Sequence, residues 1–500
     1  MDLLINLFQG FGYLVGWEPV VAMTVGVILG ILVGAMPGLS PSMGVALLVP
    51  FTYKMPPQIA LILLVSIYIA SNYGGSITAV TINTPGTPSA VVTAFDGYPL
   101  TQQGRAGEAL GISLVASTVG GIIGTIILIF FSVPLASLAV RLHPAEYFAL
   151  AIFGLTTVAS LGGKNWPKAF IAALLGLLIN TIGLDPISGV KRFTFGTYRL
   201  FDGFALIPAL IGLFALSEVF SRLEEFKFDK EKIEADINKT VWPSFIYYWK
   251  MKFTIIKTSI IGTLIGIFPG AGATIATFIA YDFTKRGSKD PDSFGKGNPE
   301  GVAAAEASNS SSVGGALVPL LALGIPGSAT TAVLVGALMI HDLNPGPLLF
   351  TERPDIVYSL FASCLVANGI MLALGLMGSR LWIKVTDIPK TVLFPCILAI
   401  SIIGSFAVNY SFFDVAVCIG FGVAGWILKK FDYPAAPIVL GMVLGNLAET
   451  NFRRAVIMGG YPVFFVRPFS VLLLLVSALS LAYPFYQSYR KKKKSAAAGK

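Results

Sequence analysis

Two stretches of the sequence gather small polar side chains around a Pro-Gly pair inside otherwise apolar chain. In the first, Asn72, Ser76, Thr78, Asn83, Thr84, Thr87 and Ser89 surround Pro85-Gly86. In the second, Ser308, Asn309, Ser310, Ser311, Ser312, Ser328, Thr330 and Thr331 surround Pro326-Gly327. Hydroxyls, amides and opened helix N-termini bind carboxylates without a fixed buried positive charge. Opened helix C-termini and Asn side chains suit Na⁺. The chemistry this supports is reversible binding of an anion and a small cation. Small polar residues also let membrane helices pack closely, but two matched clusters, each at a helix break, favour a site. Asn83, Thr84, Pro85, Gly86, Thr87, Ser89, Gly324, Pro326, Gly327, Ser328, Thr330 and Thr331 are expected to hold the substrate. Asn72, Ser76, Asn309 and Ser310, with the breaks at Pro37-Gly38 and Pro269-Gly270, are expected to hold the ion or open the helices.

Ionisable residues in apolar context are few: Asp202, Glu218, Asp282, Glu306, Asp414, Asp432 and Glu449. Asp202 and Asp432 each precede an apolar helix and read as N-caps. Glu218 and Glu449 fall near equivalent helix ends and read as interfacial. Glu306 is the best candidate to carry a coupling proton, although a solvated helix end is the stronger reading of it. His143 and His341 are flanked by loop signals and read as interfacial. There is no Gly-rich nucleotide loop ending in Gly-Lys-Ser/Thr, no His-Glu-x-x-His and no cysteine pair at metal spacing. Catalytic residues, a resident metal and an organic cofactor are therefore not expected; the only small ion expected is a coupling Na⁺ or H⁺.

The elements that must position these groups are membrane helices. The 500 residues are 55% hydrophobic and 12% charged, about half the charged share of a soluble domain. This composition excludes an ordinary cytosolic enzyme and leaves room for ten to twelve spans at about 20 residues each. The fold class expected is an all-α polytopic membrane protein. Cys364, Cys396 and Cys418 lie apart in apolar segments and imply no disulfide framework. The start, Met1-Asp2, lacks the basic region of a cleaved signal. The net charge of +9 is not a nucleic-acid footprint, because no basic face with interleaved aromatics accompanies it.

An internal repeat organises the chain. Residues 23–53 and 255–285 are both apolar around a central Pro-Gly. Ala70-Ser71-Asn72 with Gly74-Gly75 matches Ala307-Ser308-Asn309 with Gly314-Gly315, given an insertion in the second copy. Residues 83–89 match 324–330, and Phe201-Asp202 before Pro208 matches Phe431-Asp432 before Pro437. The division expected is a first half 1–221, a polar connector 222–249, a second half 250–465, an added helix 466–489 and a basic tail 490–500. No Lys or Arg occurs in the first 50 residues, whereas 222–257 holds eight. Positive charge marks the cytoplasmic side, so the N-terminus is expected outside, and the connector and the tail inside. Each half then crosses an odd number of times, which gives inverted repeats. A Pro-Gly break at the centre of 255–285 leaves arms too short to cross alone. They form one broken crossing or a re-entrant hairpin, and Lys285, Arg286 and Lys289 favour the hairpin.

The stretches GAMPGLSPSMGVALLVPFTY, YGGSITAVTINTPGTPSAVVTAFDGYPL with GRAGEALG, and FPGAGATIATFIAYDFTKR resemble the large membrane subunit of the tripartite tricarboxylate transporters, the TctA-like proteins. The resemblance covers about residues 10 to 485. It implies a bacterial inner-membrane symporter for an organic carboxylate, driven by a Na⁺ or H⁺ gradient. It implies two partners, a small membrane subunit and a periplasmic solute-binding protein, and an elevator-like arrangement. Without the resemblance, the residues themselves lead to a secondary transporter with inverted repeats and a polar site at mid-membrane. A channel, a membrane-embedded enzyme and an assembly subunit without a substrate path are the competing classes.

Overall fold

The computed structural model describes residues 2–36, 38–160, 166–224, 245–270, 272–384 and 390–482. Pro37, most of the 222–249 connector and the 490–500 tail lie outside the described residues. The protein is an all-α multi-pass membrane protein. Among the described residues, seven helices are long and apolar enough to cross a bilayer: Trp17–Ala35, Pro57–Ile82, Ala106–Ala139, Leu206–Glu224, Pro354–Gly378, Thr391–Asn409 and Phe412–Lys430. Pro299–Leu323 and Ala435–Gly459 are as long but more polar. The added segment after residue 466 is helical over Pro468–Ala482.

Polarity is sorted as the bilayer demands. Outward-facing positions carry Phe130, Phe131, Met377, Ile403 and Leu479, all exposed. The hydroxyls and amides lie inside, where each buried polar group needs a partner. Two helices, Pro57–Ile82 and Pro299–Leu323, are buried almost end to end and form the polar centre.

Each central helix is flanked by a hairpin made from the segment before it. Gly262 packs on Ser308 and Gly266 on Ser312, so Lys252–Ile267 and Pro299–Leu323 advance side by side. After the break, Gly272–Gly287 turns back: the Tyr281 ring lies against Gly301, near the start of the central helix. In the first half, Gly30 packs on Ile67 and Gly34 on Ser71, and Gly44 beyond the break returns to Val33. The arms on either side of each break thus double back. A side chain at Gly34 or Gly266 would overlap the facing backbone; only glycine allows this approach.

Similar contacts recur in the two parts of the chain, with 71–86 and 312–327 in step and nine further residues between hairpin and central helix in the second. Gly34 meets Ser71 O and Gly74 Cα, and Gly266 meets Ser312 O and Gly315 Cα. Gly86 packs on Gly34 O and Gly75 Cα, and Gly327 on Gly266 O and Ala316 Cα. Ser71 therefore corresponds to Ser312, Gly74 to Gly315 and Asn83 to Gly324. The insertion expected in the second copy does not fall within the central helix; the extra residues lie before it, between Gly266 and Pro299. Asn309 stands where Tyr68 stands in the first half, not opposite Asn72.

Candidate functional site

Both central helices end on a left-handed residue, Asn83 at φ 54° and Gly324 at φ 73°. Such a residue closes a helix by turning the chain back on its last carbonyls. The chain then folds back along the helix it has just left. Gly86 N donates to Gly75 O at 3.1 Å, and Gly270 N donates to Gly327 O at 3.0 Å. Each 83–89 or 324–330 break is thereby seated beside the hairpin tip of its own half.

The two breaks also share a helix. Thr87 lies against Gly75, while the Ser328 hydroxyl lies 3.1 Å from that of Tyr68. Gly75 and Tyr68 are two turns apart on Pro57–Ile82, about 10 Å along its axis. Asn309 Nδ2 donates to Asn72 O at 3.3 Å and joins the two central helices between these levels.

The expected residues divide by position. Ser328 caps Ala329–Ile340 in a reciprocal box with Thr331, and Thr330 is buried behind it. Thr87 and Ser89 exchange a hydrogen bond at 3.1 Å. Pro85, Gly86 and Thr87 line a cavity of about 450 Å³. Gly324 lines another, of about 530 Å³, with Asn180, Asn344, Asn446 and Arg454. Asn83 and Thr84 are exposed at the helix end, and the Thr84 hydroxyl turns to Ile82 O. Pro326 is buried. Asn72 and Ser76 bond within their own helix, while Asn309 Oδ1 and Ser310 Oγ have no partner among the described residues. Gly38, at φ 95°, lines the first cavity, and Pro269-Gly270 forms the second hairpin tip.

The first cavity has features suited to an anion. The starts of two helical segments reach it, at Ser40, which caps Pro41–Leu48, and at Thr87. Helix N-termini carry partial positive charge. Arg222 and Lys429 line the same wall. Glu218 holds both, at 2.8 Å and 2.5 Å. The Arg222 guanidinium lies against Gly38, 2.8 Å from where a Cβ would stand. A π-helical turn, Gly212–Leu216, adds Leu213 and Phe214 to the lining.

Each cavity joins both halves in a reciprocal way. The first pairs the 85–88 break with Tyr433 and Ala435, and the second pairs Gly324 with Asp202 and Leu206. The residues at the two Phe-Asp turns are thus brought to the breaks of the opposite half. The Asp residues of those turns are not N-caps. The following helices start after Ala205 and Pro434, and Asp432, at φ 56°, meets Lys168 at 3.3 Å instead.

Glu306 departs furthest from the sequence reading. It is 0% exposed rather than at a solvated end. Pro299 starts its helix two turns earlier, which carries Glu306 into the interior. The missed partners, Thr93 and Ser117, sit on separate helices with no spacing to betray them. Tyr68 was missed because one aromatic in an apolar run carries no signal.

Outside the helices, Asp185 receives backbone N–H groups from Ile187 and Ser188 at 2.9 and 2.8 Å. Arg453 lies 2.7 Å away. These donors, the Ser188 and Ile187 amides first, hold its carboxyl well below the usual range. Arg453 also meets Glu449, and Arg192 joins both acids. The loop after the Trp166–Asn180 helix is thereby bound to Ala435–Gly459. Glu218 and Glu449, expected as merely interfacial, are each the centre of an ion-pair network.

The family model of the tripartite tricarboxylate transporter TctA family matches residues 20–440. This chain belongs to the TctA family. An uncharacterised 52.8 kDa protein from the TAR-I ttuC' 3' region of Agrobacterium vitis is 36% identical over 99% of the chain and 98% of its own length. A protein from the TAR-II ttuC' 3' region of the same organism is 36% identical over 46% of the chain and 97% of its own length. No solved structure matches. TctA proteins are transporters rather than enzymes, and the family places the chain in a tripartite system with further subunits and a binding protein.

Proposed function

We propose that the chain is the large permease subunit of a carboxylate uptake system in the bacterial inner membrane, carrying a tricarboxylate or a related organic anion. Its partners are a small membrane subunit and a periplasmic solute-binding protein that delivers the substrate. A Na⁺ or H⁺ gradient drives the uptake. The two halves are inverted repeats, with the N-terminus periplasmic and the C-terminus cytoplasmic.

The observation that carries this reading is the first cavity. Two helix starts, the hydroxyl of Thr87 and the cations of Arg222 and Lys429 surround it. A polycarboxylate brought there exchanges water for N–H, O–H and cationic donors, and Glu218 gives up part of its hold on the two bases. The polar interior between the central helices serves the coupling ion. Movement of the two hairpins and breaks as a unit against the surrounding helices would alternate access.

The test is uptake of labelled tricarboxylate into vesicles holding the purified protein with its small subunit and binding protein. Na⁺ and pH gradients are imposed separately. Accumulation above equilibrium under one of them is expected. Equilibration alone, indifferent to either gradient, would favour a channel and overturn the reading.

A further inference from the structure

Glu306 and Asp96 are both fully buried and lie on neighbouring helices, but their surroundings differ. Asp96 Oδ1 accepts three backbone N–H groups, from Gly295, Gly297 and Asn298, at 2.8 to 3.0 Å. Its Oδ2 accepts the Tyr281 hydroxyl at 2.7 Å. Four donors thus reach the two oxygens of Asp96, which pins the start of Pro299–Leu323. Glu306, two turns further along that helix, meets no backbone N–H and no cation among the described residues. Thr93 bonds to Oε1, and Ser117 donates to Oε2 at 2.7 Å. Ser76 and Ser113 face the same carboxylate.

A lone buried carboxylate is costly unless its charge is compensated. The groups on the packed elements do not compensate it. On Pro57–Ile82 the titratable neighbour is Tyr73, a neutral phenol. On Val91–Gln102 it is Asp96, of like charge and already saturated. On Ala106–Ala139, Glu108 is paired with Arg105 at 2.6 Å. On Gly272–Gly287, Asp282 pairs with Arg286 at 2.8 Å in an exposed position. On Lys252–Ile267, Lys257 is exposed, and Glu300 on the helix of Glu306 adds only negative charge.

What surrounds Glu306 is oxygen. Carboxylate and hydroxyl oxygens from four helices converge, and among the described residues Ser113 Oγ has no hydrogen-bond partner. Such a set suits a hard monovalent cation or a proton. We infer that Glu306, with Thr93, Ser117, Ser113 and Ser76, binds one monovalent cation, H⁺ or Na⁺, that neutralises the carboxylate inside the protein. As a proton arrives, the carboxylate becomes a neutral acid whose O–H has the unpartnered Ser113 oxygen to donate to. Na⁺ would instead be ligated by the carboxylate and hydroxyl oxygens. The inference deepens the proposed function by naming the seat of the coupling ion.

The experiment needs no carboxylate substrate, so its outcome is separable from that of the transport reading. The unfolding midpoint of the purified full chain in detergent is followed against NaCl, with choline chloride as control, and over about pH 5 to 8. The wild-type midpoint is expected to rise with Na⁺ if the cation is sodium, or with acid if it is the proton. Glu306→Gln, which keeps shape without charge, is expected to lose that response and to sit near the neutralised wild-type value. A wild type indifferent to both, or a Gln variant responding like the wild type, overturns the inference. Should Glu306→Gln not fold, Ser117→Ala keeps the test open. The inference requires its half-saturating Na⁺ or proton concentration to move by about tenfold, the effect of losing one ligand hydrogen bond of about 1.4 kcal/mol. An unchanged value overturns it.

Discussion

The hydroxyls of Tyr68 and Ser328 meet at 3.1 Å, so the helix break of the second half is read by the central helix of the first. Ser328 is also the cap of Ala329–Ile340. One side chain thus closes a helix, marks a break and touches the other half. A shift of either half relative to the other must break this contact.

Removing either hydroxyl should weaken that joint. Tyr68→Phe and Ser328→Ala are each expected to lower uptake in reconstituted vesicles, with membrane insertion intact and stability down by about 1 kcal/mol. The double variant should lose less than the sum, because both single changes delete the same bond. Fully additive losses would show that the two hydroxyls act apart.

Asn83 is exposed and left-handed at φ 54°, so its backbone rather than its amide is what the break requires. Asn83→Ala is expected to reduce uptake and to cost about 1 kcal/mol of stability. Asn83→Gly should restore both. Uptake that stays low in the Gly variant would assign the amide a direct role with the substrate.

Lys429 stands 2.5 Å from Glu218 on the wall of the first cavity. Lys429→Gln is expected to raise the KM for a labelled tricarboxylate about tenfold, the effect of losing one charged contact of about 1.4 kcal/mol. The same change should alter kcat little. A changed kcat at constant KM would move the charge away from substrate binding.

Asp185 links pH to stability. Its carboxyl is held low in the folded protein by the Ser188 and Ile187 amides, against about 3.9 when unfolded. Its contribution is therefore fully present above that value and is lost as pH falls below it. Asp185→Asn should lower the unfolding midpoint at neutral pH and shrink the difference from wild type toward about pH 3. A difference that stays constant with pH would show that the ionised form is not the one favoured by folding.

The breaks and hairpins were legible because Pro-Gly in apolar sequence leaves few structural options. The helix ends at Asn83 and Gly324 fell where the clusters suggested. The register between the halves was less legible, since small residues align in several ways; backbone approach at Gly34 and Gly266 decides it. The environment of Glu306 could not be read at all. A Glu in a mixed polar run looks the same whether its neighbours in space are water or the hydroxyls of three other helices. Arg222 belongs in sequence to the basic connector region, and only folding brings it, with Lys429, to the cavity at Gly38.

The central claim is that an anion sits against the first-half break. Pro88 is exposed and lines the first cavity, and a single thiol placed there reports occupancy. In a chain whose Cys364, Cys396 and Cys418 are replaced by Ser, Pro88→Cys is labelled with a small polar thiol reagent, with and without tricarboxylate and the coupling cation. The account requires labelling to slow by about tenfold when substrate and cation are both present, as at saturating ligand. Labelling at the same rate in every condition, in a protein that still accumulates substrate, would contradict it.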